Sequence, residues 1–203
     1  MILYHGSNTF GLTTLEPRLA DHERPYVYMS TLEIVAGFYL VNAVERPYYW
    51  FPYGFDPDGT VHYHELYPNA LREVSEGKSG CIYTVEADEK DVLPFKNIPC
   101  ARLGTVPMMV VDCLEIPDCY QWLTEQERLG AFRLCRFEDK TEAQLRWWHD
   151  NILEYIAEKE MIKTPNCSYA AFVRRKFPDV WADYERLCLG GEQKERTQNG
   201  GTK

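Results

Sequence analysis

The stretch Leu3-Tyr4-His5-Gly6-Ser7 decides the fold that we predict. It ends a first strand and leads into a turn, and its residues are of types that can bind a ligand. Residues 2–4 form a short apolar run and the Gly-Ser-Asn sequence after His5 is a turn signal, so a strand is predicted there. The glycine has no Cβ, so a planar ligand can approach its backbone N–H and C=O closely. The histidine beside it can hydrogen-bond a hydroxyl.

Two tyrosines follow this stretch in suggestive positions. Residues 26–29 predict a second strand, and Ser30 fits a helix N-cap because an acid three residues later completes a capping box. Apolar residues at helical spacing then predict a helix over residues 31–44. Tyr28 thus ends a strand and Tyr39 lies on the next helix, so their rings could hold a flat ligand between them. The alternative is that both rings are core.

The rest of the chain predicts an α+β fold. Strands are predicted over residues 61–67, 81–86 and 106–114, the last one buried, and helices over residues 69–76, 117–129, 141–160 and 168–187. We expect one domain over residues 1–189, strand-rich over 1–115 and helical over 116–189, followed by a disordered tail over 190–203. Neither G-x-G-x-x-G nor a P-loop motif occurs.

Composition limits the partners. A net charge of −9 disfavours nonspecific binding to nucleic acid or to an anionic membrane, because both need clustered Lys and Arg. Seven scattered cysteines without a C-x-x-C predict reduced thiols rather than a disulfide framework. With no signal-peptide pattern and no long apolar run, we expect a cytoplasmic protein. His62 and His64 share a strand face, but no third ligand follows, so no metal is expected.

Three segments form one pattern when taken together: Tyr4-His5-Gly6-Ser7, Val27-Tyr28-Met29-Ser30 and Ala36-Gly37-Phe38-Tyr39. The pattern resembles the poly-ADP-ribose polymerase and diphtheria-toxin type of ADP-ribosyltransferase. That family carries His-Gly-Ser or His-Gly-Thr on its first strand, a Tyr on a short strand downstream and a second Tyr on a helix. The resemblance covers about the first 40 residues well. It implies a split, mixed or antiparallel sheet core with a C-terminal helical part.

The resemblance also implies roles for these residues. Gly6 would hold the carboxamide of NAD through its backbone, with help from the Ser7 hydroxyl, and Ser30 would lie in the same NAD-binding site. His5 would hydrogen-bond a ribose hydroxyl, while Tyr28 and Tyr39 would hold the nicotinamide ring. His5 and Tyr28 are the catalytic residues that it implies. NAD would be the substrate, without a metal.

The sequence departs from the family at the third catalytic position. The family places a Glu at the start of a late strand, where this chain reads Gly104-Thr105-Val106-Pro107-Met108. Glu65, Glu86 and Glu115 lie in or beside predicted strands and are possible substitutes. Two functions therefore stay open: an NAD-dependent mono-ADP-ribosyltransferase or NAD glycohydrolase, and an inactive module that binds NAD, ADP-ribose or a protein. The acceptor is expected to be a protein or a small molecule. An unrelated α+β protein is the third alternative.

Overall fold

The structure is a computed structural model that describes residues 1–19, 24–40, 53–95 and 98–199, with side chains through residue 189. Ten strands and six α-helices lie in these ranges. The strands are β1 Ile2–Ser7, β2 Thr14–Leu15, β3 Val27–Ser30, β4 Tyr53–Phe55, β5 Val61–His64, β6 Gly80–Glu86, β7 Val92–Pro94, β8 Ala101–Gly104, β9 Met108–Ile116 and β10 Arg133–Cys135. The helices are α1 Glu33–Phe38, α2 Ala70–Ser75, α3 Cys119–Arg128, α4 Glu142–Glu158, α5 Ser168–Lys176 and α6 Pro178–Asn199.

Seven of the strands form one sheet in the order β2-β9-β6-β1-β3-β8-β7, and three form a second sheet in the order β10-β5-β4. The pairings within the larger sheet are antiparallel. Strands dominate up to residue 116 and helices dominate after it. The α+β class predicted from the sequence is therefore confirmed.

The chain divides into two compact units. The first unit takes its described residues from Met1–Asn42, Phe55–Tyr63 and Asn69–Leu134, and the second takes them from Ala43–Gly54, His64–Pro68 and Cys135–Lys203. The candidate site lies in the first unit. The single domain predicted over residues 1–189 stays a prediction.

In the first unit, side chains of the larger sheet alternate between two faces, and each face buries its own apolar cluster. We call the side on which α1 packs the helix face and the opposite side the far face. The helix-face cluster consists of Ala36, Leu40, Ile82, Ile116 and Cys119, with Tyr4 and Trp122 packed against it. The far-face cluster consists of Leu3, Leu15, Val27, Met29, Cys81, Tyr83, Val85, Ala87, Val92 and Met108.

The second unit is built from its three long helices. A capping box formed by Thr141 and Gln144 starts α4, because each residue's side chain binds the other's backbone N–H. α4 packs against α6, and Ile152 and Ile156 of α4 are buried. His149 of α4 lies 3.3 Å from the carboxylate of Asp183 on α6. Apolar burial, together with this polar contact, holds the two helices together.

The helix predicted over residues 31–44 is shorter than expected. α1 begins at Glu33, its N-cap is Leu32, and the capping box predicted at Ser30 is absent. The Ser30 hydroxyl instead accepts a hydrogen bond from the N–H of Leu32, two residues on, which forms a local turn. At the other end, Tyr39 donates its N–H to the carbonyl three residues back, so the last turn tightens and the helix stops. Residues 41–44 of the prediction lie outside the described residues.

Three later predictions also need correction. β9 is largely exposed between Met109 and Glu115, because it has little pairing on its outer side in the described chain. The helix predicted over residues 168–187 is two helices, since Pro178 cannot continue a preceding helix but suits the first position of a new one. α6 runs on to Asn199, into the segment predicted as disordered. Residues 192–196 are all strong helix formers, and residues 200–203 lie outside the described residues.

No helix in the described ranges is both long and apolar enough to cross a membrane.

Candidate functional site

His5 and Tyr28, the two residues predicted to be catalytic, are joined by a hydrogen bond. The Nδ1 atom of His5 lies 2.7 Å from the carbonyl oxygen of Tyr28. A carbonyl only accepts hydrogen bonds, so Nδ1 carries the proton in this contact. In the neutral imidazole, Nε2 is then left with its lone pair as an acceptor. The bond therefore fixes the tautomer that can receive a hydrogen bond from a hydroxyl.

The environment keeps the imidazole of His5 uncharged. Burial lowers the pKa of His5 below its usual value near 6.5, since a buried charge loses its hydration. The bond to the Tyr28 carbonyl acts in the opposite direction, and the positive charge of Arg18 lowers the pKa further. Around neutral pH, His5 therefore offers an acceptor at Nε2.

The strand ladder shows which way the backbone of Gly6 points. Met1 exchanges two hydrogen bonds with Ala87, just past the end of β6, at 2.7 and 2.9 Å. Pairing between β1 and β6 continues from there without a register shift through Ser7. In an antiparallel ladder every second residue bonds to a given neighbour, so residues 1, 3, 5 and 7 point to β6. Gly6 points its N–H and C=O to the other side, toward β3.

β1 and β3 separate at this point. The described residues pair these two strands only at Tyr4 and Ser30, so a continued ladder would next join Gly6 to Tyr28. The Tyr28 carbonyl is bonded to the His5 side chain instead. We call the opening bounded by His5, Gly6 and Tyr28 the β1–β3 gap. A strand residue that points both backbone groups into such a gap offers one donor and one acceptor side by side, as a carboxamide requires.

Gly6 is also required by packing. A Cβ at this position would lie 2.0 Å from the backbone oxygen of Ala36 and 3.5 Å from the backbone nitrogen of Leu40. α1 therefore rests directly on the strand, closer than any residue with a side chain would allow. The glycine that was predicted for ligand approach thus serves first to bring helix and strand together.

The two predicted serines have protein partners. The Ser7 hydroxyl accepts a hydrogen bond of 3.1 Å from the N–H of Thr9, and the buried Ser30 hydroxyl accepts one of 2.9 Å from the N–H of Leu32. Both bonds shape the turns that follow their strands. The nicotinamide roles of Ser7 and Ser30 stay predictions.

The two predicted ring-holding tyrosines are associated with the helix face. Tyr28 stands between Val27 and Met29, whose side chains belong to the far-face cluster, so its half-buried ring points to the helix face. Tyr39 caps the end of α1 and is 40% exposed. His5 starts from the far face and reaches Tyr28 through the gap. The gap is thus where groups from both faces meet.

Two of the three candidate acids belong to the first unit, and neither lies beside His5. Glu86 pairs with Ile2, three residues from His5, or about 10 Å along the strand. Glu115 lies on β9, two strands from β1 and so about 10 Å across the sheet. Glu65 belongs to the second unit, where its buried carboxylate accepts a hydrogen bond from the N–H of Phe137.

The stretch where the family carries its acid links two strands. Gly104 ends β8 and Met108 begins β9, and between them Thr105 donates its N–H and hydroxyl to the carbonyl of Asp91. β8 pairs with β3 along its whole length and carries no acid. The departure from the family noted in the sequence therefore holds on the strand nearest to Tyr28.

The sequence did not point to Arg18 or Tyr83. Arg18 lies in what reads as a polar loop, yet it exchanges two backbone hydrogen bonds with Tyr26. Tyr83 pairs with His5 across the ladder, and its fully buried side chain binds the turn after β1 at Thr9 and Leu12. The Tyr83 contacts join residues 74 and 71 positions apart, so no local signal identifies them. The pairing of Arg18 with Tyr26 is closer in sequence, but the polar composition around Arg18 does not indicate it.

A metal site is not apparent: within the described ranges, no three side chains of His, Cys, Asp or Glu come together as possible ligands. His62 has a carboxylate partner, since its Nδ1 lies 3.1 Å from an oxygen of Asp56, which Arg133 also binds at 2.9 Å. These three residues pin the turn before β5.

Comparison with known proteins gives no match: no family model, no curated protein and no solved structure is similar to this chain.

Proposed function

We propose that the chain binds NAD in the β1–β3 gap and acts as a mono-ADP-ribosyltransferase, or as an NAD glycohydrolase at the same site. The observation that carries the proposal is the Nδ1 bond of His5 to the Tyr28 carbonyl. This bond lies beside the backbone of Gly6, where β1 separates from β3 in the described part of the chain. The ADP-ribosyltransferase-like form of the α+β fold, with its split sheet, belongs to this proposal.

In this proposal, the Gly6 backbone holds the carboxamide, and the Nε2 atom of His5 accepts a hydrogen bond from a ribose hydroxyl. Tyr28 and Tyr39 hold the ring, with Ser7 and Ser30 at the edge of the site. The bond between ribose and nicotinamide breaks, nicotinamide leaves, and the ADP-ribosyl cation is captured by an acceptor that gives up a proton. Fixing the ring and the ribose hydroxyl favours this oxocarbenium-like transition state.

The partners follow the sequence expectations. The net charge of −9 favours a protein, a small molecule or water as acceptor over nucleic acid. No metal takes part. All seven cysteines are free thiols, which suits the reducing cytoplasm as the place of action.

A second candidate is a module that binds NAD or ADP-ribose, or a protein partner, without turnover. Two positions favour this candidate. Glu86 lies about 10 Å from His5 along the strand direction, and Glu115 lies about 10 Å from β1 across the sheet. Neither acid lies on β8, the strand that pairs with β3 and leads into the stretch where the family carries its Glu.

Two His5 variants test the site. His5→Asn keeps an N–H donor near the position of Nδ1 but removes the Nε2 acceptor, whereas His5→Ala removes both. With labelled NAD, we expect the wild type to release nicotinamide and His5→Asn to lower the rate about 100-fold. Tyr28→Ala should abolish release. His62→Asn is the matched control, because His62 is also a half-buried strand histidine bonded through Nδ1.

The outcomes separate the candidates. Release that His62→Asn retains and His5→Asn loses supports the enzyme. Binding of NAD in calorimetry without release supports the module. If millimolar NAD gives no heat and no change in Tm, the nicotinamide site is wrong for both candidates, and only the module that binds a protein partner remains.

A further inference from the structure

We infer that Cys135 and Lys140 form a self-acylation site. At this site an acyl thioester passes its acyl group first to the sulfur of Cys135 and then to the Nζ atom of Lys140. Both residues belong to the second unit, so the inference does not depend on the function proposed for the β1–β3 gap. The class of substrate that it adds is an acyl thioester such as an acyl-coenzyme A.

A tight turn after β10 brings Lys140 back to Cys135. β10 ends at Cys135, and a single 3₁₀ turn follows over Phe137–Asp139. The N–H of Lys140 binds the carbonyl of Phe137 at 3.2 Å, which closes this turn. The Nζ atom of Lys140 then donates to the carbonyl of Cys135 at 3.0 Å and to that of Arg136 at 3.4 Å. The turn therefore holds the amine against the residue that carries the thiol.

The sulfur of Cys135 lies close to this amine. The carbonyl oxygen and the sulfur of one cysteine hang from the same Cα, and covalent geometry keeps them within about 5 Å of each other. The distance from Nζ to the sulfur is therefore at most about 8 Å. The lysine amine sits on a flexible carbon stem, so it can move over this distance to an acyl group carried by the sulfur.

Burial makes the amine of Lys140 more nucleophilic than that of an exposed lysine. An amine attacks a carbonyl carbon only in its neutral form, because an ammonium ion has no lone pair. Burial has the largest effect on Lys140 and lowers its pKa below the usual 10.5, while the charges of Cys135 and Glu65 act in the opposite direction. At mildly alkaline pH, a larger fraction of Lys140 is therefore neutral than of an exposed lysine.

A buried carboxylate keeps Lys140 in place before the reaction. Glu65 is 4% exposed, and its carboxylate accepts a hydrogen bond of 3.4 Å from the N–H of Phe137. The backbone N–H of Glu65 donates at 3.0 Å to the same Cys135 carbonyl that Lys140 binds. The negative charge of Glu65 attracts the ammonium form of Lys140. The site thus combines a thiol, a lysine amine and an acid around one carbonyl.

The two steps balance without a further reactant. The sulfur of Cys135 attacks the thioester carbonyl, a new C–S bond forms, the original C–S bond breaks, and the departing thiol takes the proton of Cys135. The neutral amine of Lys140 then attacks the same carbon, a C–N bond forms, and the sulfur of Cys135 leaves with a proton from the nitrogen. The product is an uncharged amide. The second step is intramolecular, so it gains the advantage of proximity.

The first test uses acetyl-coenzyme A at about pH 8 and follows acetylation of each lysine by peptide mass spectrometry. We expect Lys140 to be acetylated about tenfold faster than Lys90, an exposed lysine that pairs with Asp88. Cys135→Ser should lower the rate at Lys140 about tenfold, because it removes the thiol and keeps the carbonyl that Lys140 binds. Cys167→Ser is the matched control, since Cys167 is an exposed cysteine and serine also suits its N-cap position.

A second variant separates the two steps. Lys140→Arg keeps the positive charge and the hydrogen-bond donors, but a guanidinium group stays protonated and does not attack a carbonyl. The acetyl group should then remain on Cys135 as a thioester that neutral hydroxylamine removes. Cys135→Ala repeats the first test if Cys135→Ser lowers the Tm, because it also lacks the thiol.

Three outcomes overturn the inference. If Lys140 is acetylated no faster than Lys90 in the wild type, the turn gives no advantage. If the rate at Lys140 is the same in both Cys135 variants as in the wild type, the lysine reacts directly and the thiol takes no part. If Lys140→Arg carries no acetyl group on Cys135, the first step does not occur. None of these outcomes touches the proposed function, because NAD does not enter the assay.

Discussion

The two edges of β1 differ sharply. Toward β6, all six residues of β1 have a ladder partner, from Ile2 with Glu86 to Ser7 with Cys81. Toward β3, the described residues show one pair, Tyr4 with Ser30. Since buried backbone groups need partners, the β6 edge is saturated, whereas the β3 edge leaves groups to be satisfied by side chains or by a ligand. The candidate site thus lies where the hydrogen-bond ladder between β1 and β3 ends.

The same contacts explain why the edges differ. On the β3 edge, the Tyr28 carbonyl is bonded to His5, so it does not continue the ladder. On the β6 edge, the buried hydroxyl of Tyr83 ties down the turn after β1. α1 then rests on Gly6 from the helix face. Substitutions at these positions should disturb the two edges to different degrees.

Gly6→Ala should have the largest effect. Its Cβ would lie 2.0 Å from the Ala36 backbone oxygen, and a backbone atom in a packed helix cannot move aside cheaply. We expect a loss of about 3 kcal/mol in the free energy of unfolding, or failure to fold, from overpacking. Urea denaturation followed by circular dichroism measures it.

Gly11→Ala is the matched control for this prediction. Gly11 has a φ of 73° and open space around its Cα, so an added methyl group meets backbone strain but no neighbour. It should cost about 1 kcal/mol. Equal losses at Gly6 and Gly11 would show that the contact with α1 is not close in solution.

Tyr83→Phe should weaken the saturated edge by about 2 kcal/mol, because two hydrogen bonds are lost together. The hydroxyl donates to the Thr9 carbonyl at 2.8 Å and accepts from the Leu12 N–H at 3.2 Å. Burial raises the pKa of Tyr83 to about 12, so the hydroxyl keeps its proton in the physiological range. Amide exchange at Leu12 should become faster by at least tenfold, in line with this loss.

Tyr120→Phe controls for removal of a phenol at a half-buried position on α3, and it should change stability by less than about 0.5 kcal/mol. Unchanged exchange at Leu12 in Tyr83→Phe would mean that the turn after β1 holds itself without the hydroxyl.

Parts of this comparison could be predicted from the sequence. The strands carrying His5 and Tyr28 and the helix after them follow from local apolar spacing and turn signals. The β1–β3 gap could not be predicted, because it depends on the pairing of residues 6 and 28, and on Ala36 lying against Gly6. The capping box was wrong for a related reason: Ser30 can bind either Leu32 or the third helical residue, and local sequence does not decide between them.

Ser30→Ala should have a smaller effect on stability, about 1 kcal/mol, at the β3 edge. It removes the 2.9 Å bond to the Leu32 N–H in a buried turn, and leaves the pairing with Tyr4 intact. Ser168→Ala, at an exposed helix start, should have almost no effect. NAD affinity is the second readout. A loss of affinity with unchanged stability would make Ser30 a ligand contact rather than a support for α1.

The pH dependence of stability should show the smallest effect, because it comes from one imidazole. Burial lowers the pKa of His5 in the folded chain, so below about pH 6.5 the unfolded chain binds this proton more readily. The native state therefore loses stability as the pH falls from about 6.5 toward the lowered folded value. His5→Asn lacks this proton site, so its free energy of unfolding should fall less than that of the wild type between pH 7 and 5. Urea titrations at pH 7, 6 and 5 measure the difference. If the free energies of unfolding of the two proteins fell in parallel with pH, the His5 imidazole would be solvated in the folded chain. Its Nδ1 would then bond to water rather than to the Tyr28 carbonyl at the gap.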